Sequence, residues 1–451
     1  MKNNSPTNEL ANFIVNMRFT DLSKEQIDAA KRCFLDWLGV TIGGIREPPA
    51  KILVDLIEEL GGKKQASVIG YGRKTSILNA ALVNGTMAHS LDYDDAHMYT
   101  RNHPSAPLIA ALLPVSEYKK LPGTELITAF ILGFEVSTRI GLALGNDYYD
   151  LGWHATPVLG RFGVAAGVGK LLGLDTEKLK NAFGLAATQT GGIRKVFGTM
   201  GKPFHAGKAA MDGILSTILA DKGFTAPKDI LDEDSGFLGI LSSKIDLDQI
   251  TSELGEKFHV FDVSFKPHAA CLAMHPPIDG LISIRNEYRI DPENIDRIDL
   301  EVAPICLVLG DNKNPESGLE GKFSVYYCAA LAVTEGQARN NVFSDEMIRA
   351  THIRRLMEKT VVKGNESFQE SEAKIKVVSK DGGLFEKHII APKGDPRNPL
   401  NFDEIVEKFT DLSKCILPEN NVEQIVSLIQ NLEKLENIME LIRICCPEKI
   451  L

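Results

Sequence analysis

Tryptophan occurs only twice and cysteine seven times in this chain of 451 residues. The cysteines, at 33, 271, 306, 328, 415, 445 and 446, form neither an even set nor a pair of metal-ligand spacings. A disulfide framework and a cysteine-based zinc site are therefore not the organising principle, and reduced thiols are expected. Long hydrophobic runs are missing as well. The longest, Ile109–Val115 and Ala329–Val333, fall far short of the roughly 20 residues that cross a bilayer, so no membrane partner is expected. Nor is there a Lys/Arg-dense run. With 50 Lys+Arg against 60 Asp+Glu the formal net charge is −10, the wrong footprint for a protein that tracks a phosphate backbone, and nucleic acid is not an expected partner. The opening residues 1–6 have no apolar core of the kind a secretory signal requires, and Glu9 and Asp21 speak against a transit peptide. The expected compartment is the cytoplasm.

What is present is an ordinary globular balance, 44% hydrophobic and 24% charged, on a chain long enough for two or three cores. The first half reads as helix after helix. Ser23-Lys24-Glu25-Gln26 has the form of a capping box, followed by Ile27, Ala30, Phe34, Trp37, Leu38 and Thr41 at helical spacing until Gly43-Gly44. Thr124 opens a second such run to about Leu144, and Thr176 a third. Gly160, Gly163, Ala165, Ala166, Gly167 and Gly169 predict a helix with almost no side-chain bulk, open to close approach by a neighbouring backbone.

After about residue 262 the pattern changes. Residues 294–304 alternate as a strand, and 373–390 read as two strands around the turn signal Asp381-Gly382-Gly383. Helices are expected at about 273–288, 322–334 and 344–358. The last fifty or so residues turn helical again through Phe402, Ile405 and Phe409, then Val422, Ile425, Leu428, Ile429 and Leu432. The fold expected is mainly α: a helical domain over 1–262, a smaller α+β lid domain over 263–394, and C-terminal helices over 395–451 returning to the first domain.

Eight of the ten histidines lie between 89 and 275, beside Gly, Pro or Asp rather than within apolar stripes. The densest segment is His89-Ser90-Leu91-Asp92-Tyr93-Asp94-Asp95-Ala96-His97, followed by His103-Pro104-Ser105. Carboxylates and imidazoles so close together suit proton transfer near neutral pH or metal ligation. The plainer reading is that Asp94 and Asp95 cap the next helix and the histidines bond backbone. Gly152-Trp153-His154-Ala155-Thr156 places another imidazole ahead of the small-residue helix, and Lys202-Pro203-Phe204-His205 runs a lysine and a histidine into a further helix start, where a carboxylate would be welcome. Two more pieces, Lys266-Pro267-His268 through Cys271 to His275, and Lys322-Phe323-Ser324 through Tyr327, complete the series. Read alone, Lys202 is a surface lysine, Cys271 a core thiol and Tyr327 a buried hydrogen-bonding aromatic.

Together, and in this order, these segments resemble the MmgE/PrpD family, which includes 2-methylcitrate dehydratase, cis-aconitate decarboxylase and iminodisuccinate epimerase. The resemblance runs nearly end to end and takes in Gly394-Asp395-Pro396-Arg397. It implies a homodimer without metal or other cofactor, an active site between the helical and lid domains, and a small di- or tricarboxylate substrate. Carried over by motif, catalytic positions fall on Asp92, His103, His154 and Tyr327, and substrate-binding positions on Lys202, Lys266 and Cys271. Ala96 stands where the decarboxylase has threonine, and Cys271 where it has a catalytic histidine, which disfavours decarboxylation. Leu272 replaces an arginine common in dehydratase-like members. The expected reaction is proton abstraction next to a carboxylate by acid–base groups, as in a 2-methylcitrate dehydratase-like hydro-lyase, with an epimerase or isomerase of a small dicarboxylate as the alternative. Behind these stand a metal-dependent hydrolase on Asp92, Asp94, Asp95, His97 and His103, and a non-catalytic carboxylate binder.

Overall fold

A computed structural model describes residues 5–232 and 236–447 of the chain. It is mainly α, as expected. Helix starts are written locally. Lys24–Gly43 begins behind Ser23, whose hydroxyl accepts from the Gln26 amide while the Gln26 side chain accepts from the Ser23 amide, and it stops at the anticipated Gly-Gly pair. Asp175 caps Thr176–Thr188 by accepting from the Lys178 amide at 2.8 Å. Gly123–Leu144 is long and apolar enough to cross a membrane by length and composition, yet it is a core helix, almost wholly buried. Inside it Arg139 pairs with Glu135 at 3.1 Å and donates to the carbonyls of Ile250, Ser252, Glu253 and Lys257.

The small residues do what their pattern predicts. A Cβ at Gly163, in the helix Ala155–Leu172, would sit 2.7 Å from the Gly133 carbonyl oxygen, so this helix touches Gly123–Leu144 backbone to backbone. A second crossing matters more for function. The helices Ile77–Ser90 and Gly201–Asp221 meet at Gly85 and Gly207, where a Cβ on Gly207 would lie 2.1 Å from the Leu82 carbonyl oxygen. That contact sets the distance between the chain segments that carry His89 and Lys202.

Residues 269–377 build most of a second apolar core, which Val40, Leu91 and Tyr93 join from the first half. Its sheet has Thr360–Gly364 at one edge, parallel to Ile295–Val302, then Ala373–Ser379 and Leu384–Ile389, both antiparallel to their neighbours. The edge strand Thr360–Gly364 has no counterpart in the sequence reading, because the helical signal of Thr351–Glu358 runs straight into it. The single helix expected over 344–358 breaks at Ala350 into Asp345–Arg349 and Thr351–Glu358. The helices Phe402–Ser413 and Glu419–Gln430 bury Ile405, Phe409, Ile425 and Ile429 against Phe34, Trp37 and Leu38 of the first core. A short pairing of Ala96–His97 with Val263–Ser264 ties the turn after Ile77–Ser90 to the segment that enters the second core.

Candidate active site

The chain leaves the Ile77–Ser90 helix through a tight turn in which Asp92 takes a left-handed backbone conformation, φ 49°. Asp tolerates this region better than most residues, and such outliers gather where a site demands them. The turn drives the Asp92 carboxylate inward. Its Oδ1 accepts from Lys202 Nζ at 2.5 Å and from Lys266 Nζ at 2.9 Å, and its carbonyl oxygen accepts from Lys266 again at 2.9 Å. All three side chains are buried. Burial alone would raise the Asp92 carboxyl, but the two ammoniums hold it well below the usual carboxylate range. Asp92 is therefore a fixed anion, and its Oδ2 is buried with no hydrogen-bond partner among the described residues.

Lys202 comes from the first turn of Gly201–Asp221, and its ammonium lies 5.2 Å and 5.3 Å from the ring centres of Phe197 and Phe323. Cation–π attraction to these two neighbouring rings helps keep the charge in this dry place. Lys266 arrives on the segment following Val263–Ser264. One carboxylate against two ammoniums leaves this buried triad with an excess positive charge.

The imidazoles form a second layer. Asp94 Oδ2 lies 2.8 Å from His89 Nδ1 and 3.1 Å from His103 Nδ1. An ionised carboxylate only accepts, so the neutral His89 ring donates its Nδ1–H to Asp94 and keeps its lone pair on Nε2, whereas His103 Nδ1 lies at ion-pair distance from the same oxygen without a directed hydrogen bond. Burial lowers the His103 imidazole below its usual value; Asp94 opposes this, while Lys266 and Lys202 add to it. Burial pushes His89 down to about 4. His154 stands at the N-cap of Ala155–Leu172, with its Nδ1 3.0 Å from His205 Nδ1 and the edge of Phe197 against its ring. Burial and the Lys202 charge hold it well below the normal imidazole range. His205, only partly buried, is lowered to about 4. At neutral pH these rings are uncharged bases.

A cleft of about 710 Å³, counted out to its mouth, joins these groups. Asp92, His103, His154, Lys202, Lys266 and Cys271 all line it. Six of the seven expected site residues are thus together, from segments more than 170 positions apart. Tyr327 is not in the cleft lining: its buried hydroxyl donates to the Val342 carbonyl at 2.8 Å and its ring packs on Phe343. Ala96 and Leu272 also line the wall, so the positions that depart from the family pattern face the same space. Arg101 crosses the mouth, with its guanidinium shared between Glu370 of the second half and Asp150 of the first.

Sequence reasoning gave three residues of this arrangement no place in the acid–base site. His89 and Asp94 lie inside the quoted motif but resemble a helix end and a cap until their contacts are seen. Lys322 donates to the carbonyl of Leu91, next to Asp92, and to Asn340 Oδ1 at 2.8 Å; burial lowers it to about 8. Its signal was the Lys322-Phe323-Ser324 segment. The capping reading holds for Asp95 alone, which accepts from the amide and hydroxyl of Ser105, and which burial beside Asp36 raises to about 8.

The five-residue metal set named above does not assemble. Asp95 caps a helix, and His97 bonds Thr100 beside His259. A narrower group of His89, Asp92, Asp94 and His103 has ligand atoms within 4.8 Å of one another. Two ammoniums already sit on Asp92 Oδ1, and their charge repels a cation there.

Comparison with known proteins agrees with the geometry. A family model described as the MmgE/PrpD N-terminal domain matches residues 8–250, and one described as the MmgE/PrpD C-terminal domain matches residues 268–434. Among similar proteins, a cis-aconitate decarboxylase of Aspergillus terreus is 27% identical, with 98% of this chain and 96% of that protein aligned. Cis-aconitate decarboxylases of Mus musculus and Homo sapiens are each 28% identical, over 98% and 96% of this chain and 93% of each relative.

Proposed function

Since the chain belongs to the MmgE/PrpD family, we propose that it is a metal-independent acid–base enzyme. It removes a proton next to a carboxylate of a small di- or tricarboxylate, as a hydro-lyase of the 2-methylcitrate dehydratase type. The observation that carries the substrate class is the Asp92–Lys202–Lys266 triad, whose excess buried positive charge is satisfied by an incoming carboxylate. The same ammoniums then hold the charge that builds on that carboxylate as the C–H bond breaks.

His103 is the base of this reading. Its uncharged ring lines the cleft and can take the proton, and Asp94, 3.1 Å from its Nδ1, stabilises the imidazolium that results. Asp92, held well below the usual carboxylate range, is a poor proton acceptor and serves instead to anchor the two lysines. The His103 imidazolium then delivers that proton to the departing hydroxyl, so that water leaves and the neutral base is regenerated, while uncharged His154, in contact with His205, lines the cleft beside it. Tyr327 holds the loop over the second core rather than touching the reacting atoms. The reading includes the two-domain closure and the homodimer that the resemblance implies, and sedimentation at micromolar concentration tests the latter.

A specific observation also favours epimerisation. Cys271 lines the cleft from the second half, while His103 and His154 line it from the first, and two proton-exchanging groups from different directions are what inversion at one carbon requires. Decarboxylation, the activity named for the relatives above, is the third outcome; Ala96 and Cys271 put no hydroxyl and no imidazole at those places on the wall.

Proton NMR of the metal-stripped enzyme in D₂O with 2-methylcitrate, citrate, cis-aconitate and iminodisuccinate distinguishes these. Deuterium entering beside a carboxylate with loss of water is the expected result. Deuterium with a new epimer selects the alternative, loss of carbon dioxide selects the third, and no exchange on any member overturns the acid–base reading.

A further inference from the structure

His97, which also lines the cleft, belongs to a second cluster that shares no residue with the lysine triad. His97 is fully buried, and its Nδ1 lies 2.9 Å from Thr100 Oγ1. The Thr100 hydroxyl itself donates to Asn102 Oδ1 at 2.7 Å, so Thr100 can only accept from His97. The imidazole is thereby fixed with its proton on Nδ1 and a lone pair on Nε2. That Nε2 is buried without any hydrogen-bond partner among the described residues. A buried acceptor left empty is costly unless something fills it. His259 stands edge-on to His97, ring centres 6.2 Å apart, and its Nδ1 lies 3.1 Å from Asp262 Oδ2. Ligating atoms of His97, His259 and Asp262 all lie within 4.8 Å of one another.

We propose that His97, His259 and Asp262 bind a divalent transition-metal ion, zinc-like in preference, at a site separate from the reacting groups. Two imidazoles and one carboxylate are a fitting donor set, and ligands about 2.0–2.2 Å from one ion fall within this spacing after small side-chain rotations. The first histidine is already oriented by a threonine, as ligating imidazoles generally are by a neighbouring group. Among the described residues no lysine or arginine forms an ion pair with Asp262, unlike Asp92.

The position gives such an ion a job. His97 pairs with Val263 in the short ladder between Ala96–His97 and Val263–Ser264. Five residues before His97 is Asp92, and four residues after Asp262 is Lys266. An ion held by His97 and Asp262 would cross-link the two segments whose far ends form the Asp92–Lys266 ion pair, and it would stiffen the site without entering the reaction.

The test uses the full-length, metal-stripped protein with Zn²⁺ alone and Co²⁺ alone, by calorimetry and by the visible spectrum of bound cobalt. One equivalent of Zn²⁺ should bind and raise the melting temperature. His259→Gln and Asp262→Asn should each weaken binding at least tenfold, while Asp94→Asn leaves it unchanged. Melting in EDTA shows whether the variants fold. An anomalous difference peak in zinc-soaked wild-type crystals locates the ion independently of any variant. No stoichiometric binding, or binding that survives both substitutions and disappears in Asp94→Asn, would overturn the proposal. Deuterium exchange by the metal-free enzyme reports on the acid–base chemistry separately.

Discussion

Lys202 and Lys266 share one carboxylate oxygen, and replacing either with methionine tests the triad at the level of single atoms. Each variant should lose at least a hundredfold in turnover, on the scale of ~10²–10⁴ seen for acid–base and charge-stabilising groups. Near-normal rates in steady-state assays would remove that lysine from the mechanism. Asp94 acts through His103, so Asp94→Asn and His103→Gln should each cost turnover, and the double variant should be little worse than the more damaged single one, because the pair works as a unit. The pH profile separates positioning from mere structure. His103 is lowered by burial, with Asp94 pulling the other way, so the acid limb of kcat/KM in the wild type should lie below the usual imidazole range. Asn at 94 removes the anion that favours the charged ring and should move that limb to still lower pH.

Two helix crossings decide whether those atoms meet at all. Gly207 lies against the Leu82 carbonyl, and any side chain there must push the Ile77–Ser90 and Gly201–Asp221 helices apart. Gly207→Val is therefore expected to destabilise the protein by roughly 3 kcal/mol or more, beyond the usual range of ~1–3 kcal/mol for overpacking because the obstacle is backbone. Thermal or denaturant unfolding measures the loss. At 25 °C the fraction that remains folded should also show weakened catalysis, since the same movement withdraws Lys202 from Asp92. The edge strand Thr360–Gly364 illustrates the opposite case: five residues directly after a helix carry too short a pattern to be read alone, and only pairing with Ile295–Val302 makes them a strand.

Over the whole molecule, buried imidazoles link stability to pH. His89 falls to about 4 in the folded protein against an ordinary 6.5. Between those values the unfolded chain binds the proton that the folded one refuses, so stability is complete above about 6.5 and declines as pH falls toward 4. His89 alone accounts for a loss on the order of 3 kcal/mol across that window. Urea midpoints at pH 7.5 and 4.5 should show it, and His89→Gln should flatten the difference. The mouth of the cleft is joined across the two halves by Arg101, held between Glu370 and Asp150. This pair is partly exposed, so Glu370→Gln should change global stability by no more than about 1 kcal/mol. Faster amide exchange around residue 370 would register the loosened contact.

The sequence by itself determined the helical character, the small-residue helix, the hairpin around Gly382 and the family, because caps, turn signals and ordered motifs are local properties of the chain. It also marked Asp92, His103, His154, Lys202, Lys266 and Cys271, since each sits in a recognisable segment. What only the tertiary structure decided is who pairs with whom. Asp92 is held as an anion because two lysines, 110 and 174 positions away, reach the same oxygen. Asp94 and Asp95 are neighbours with the same side chain, yet one lies against two imidazoles and the other caps a helix. Tyr327 turns into the second core, although its motif suggests the site. Burial and partner charge set proton affinity, and neither is a property of a residue's place in the chain.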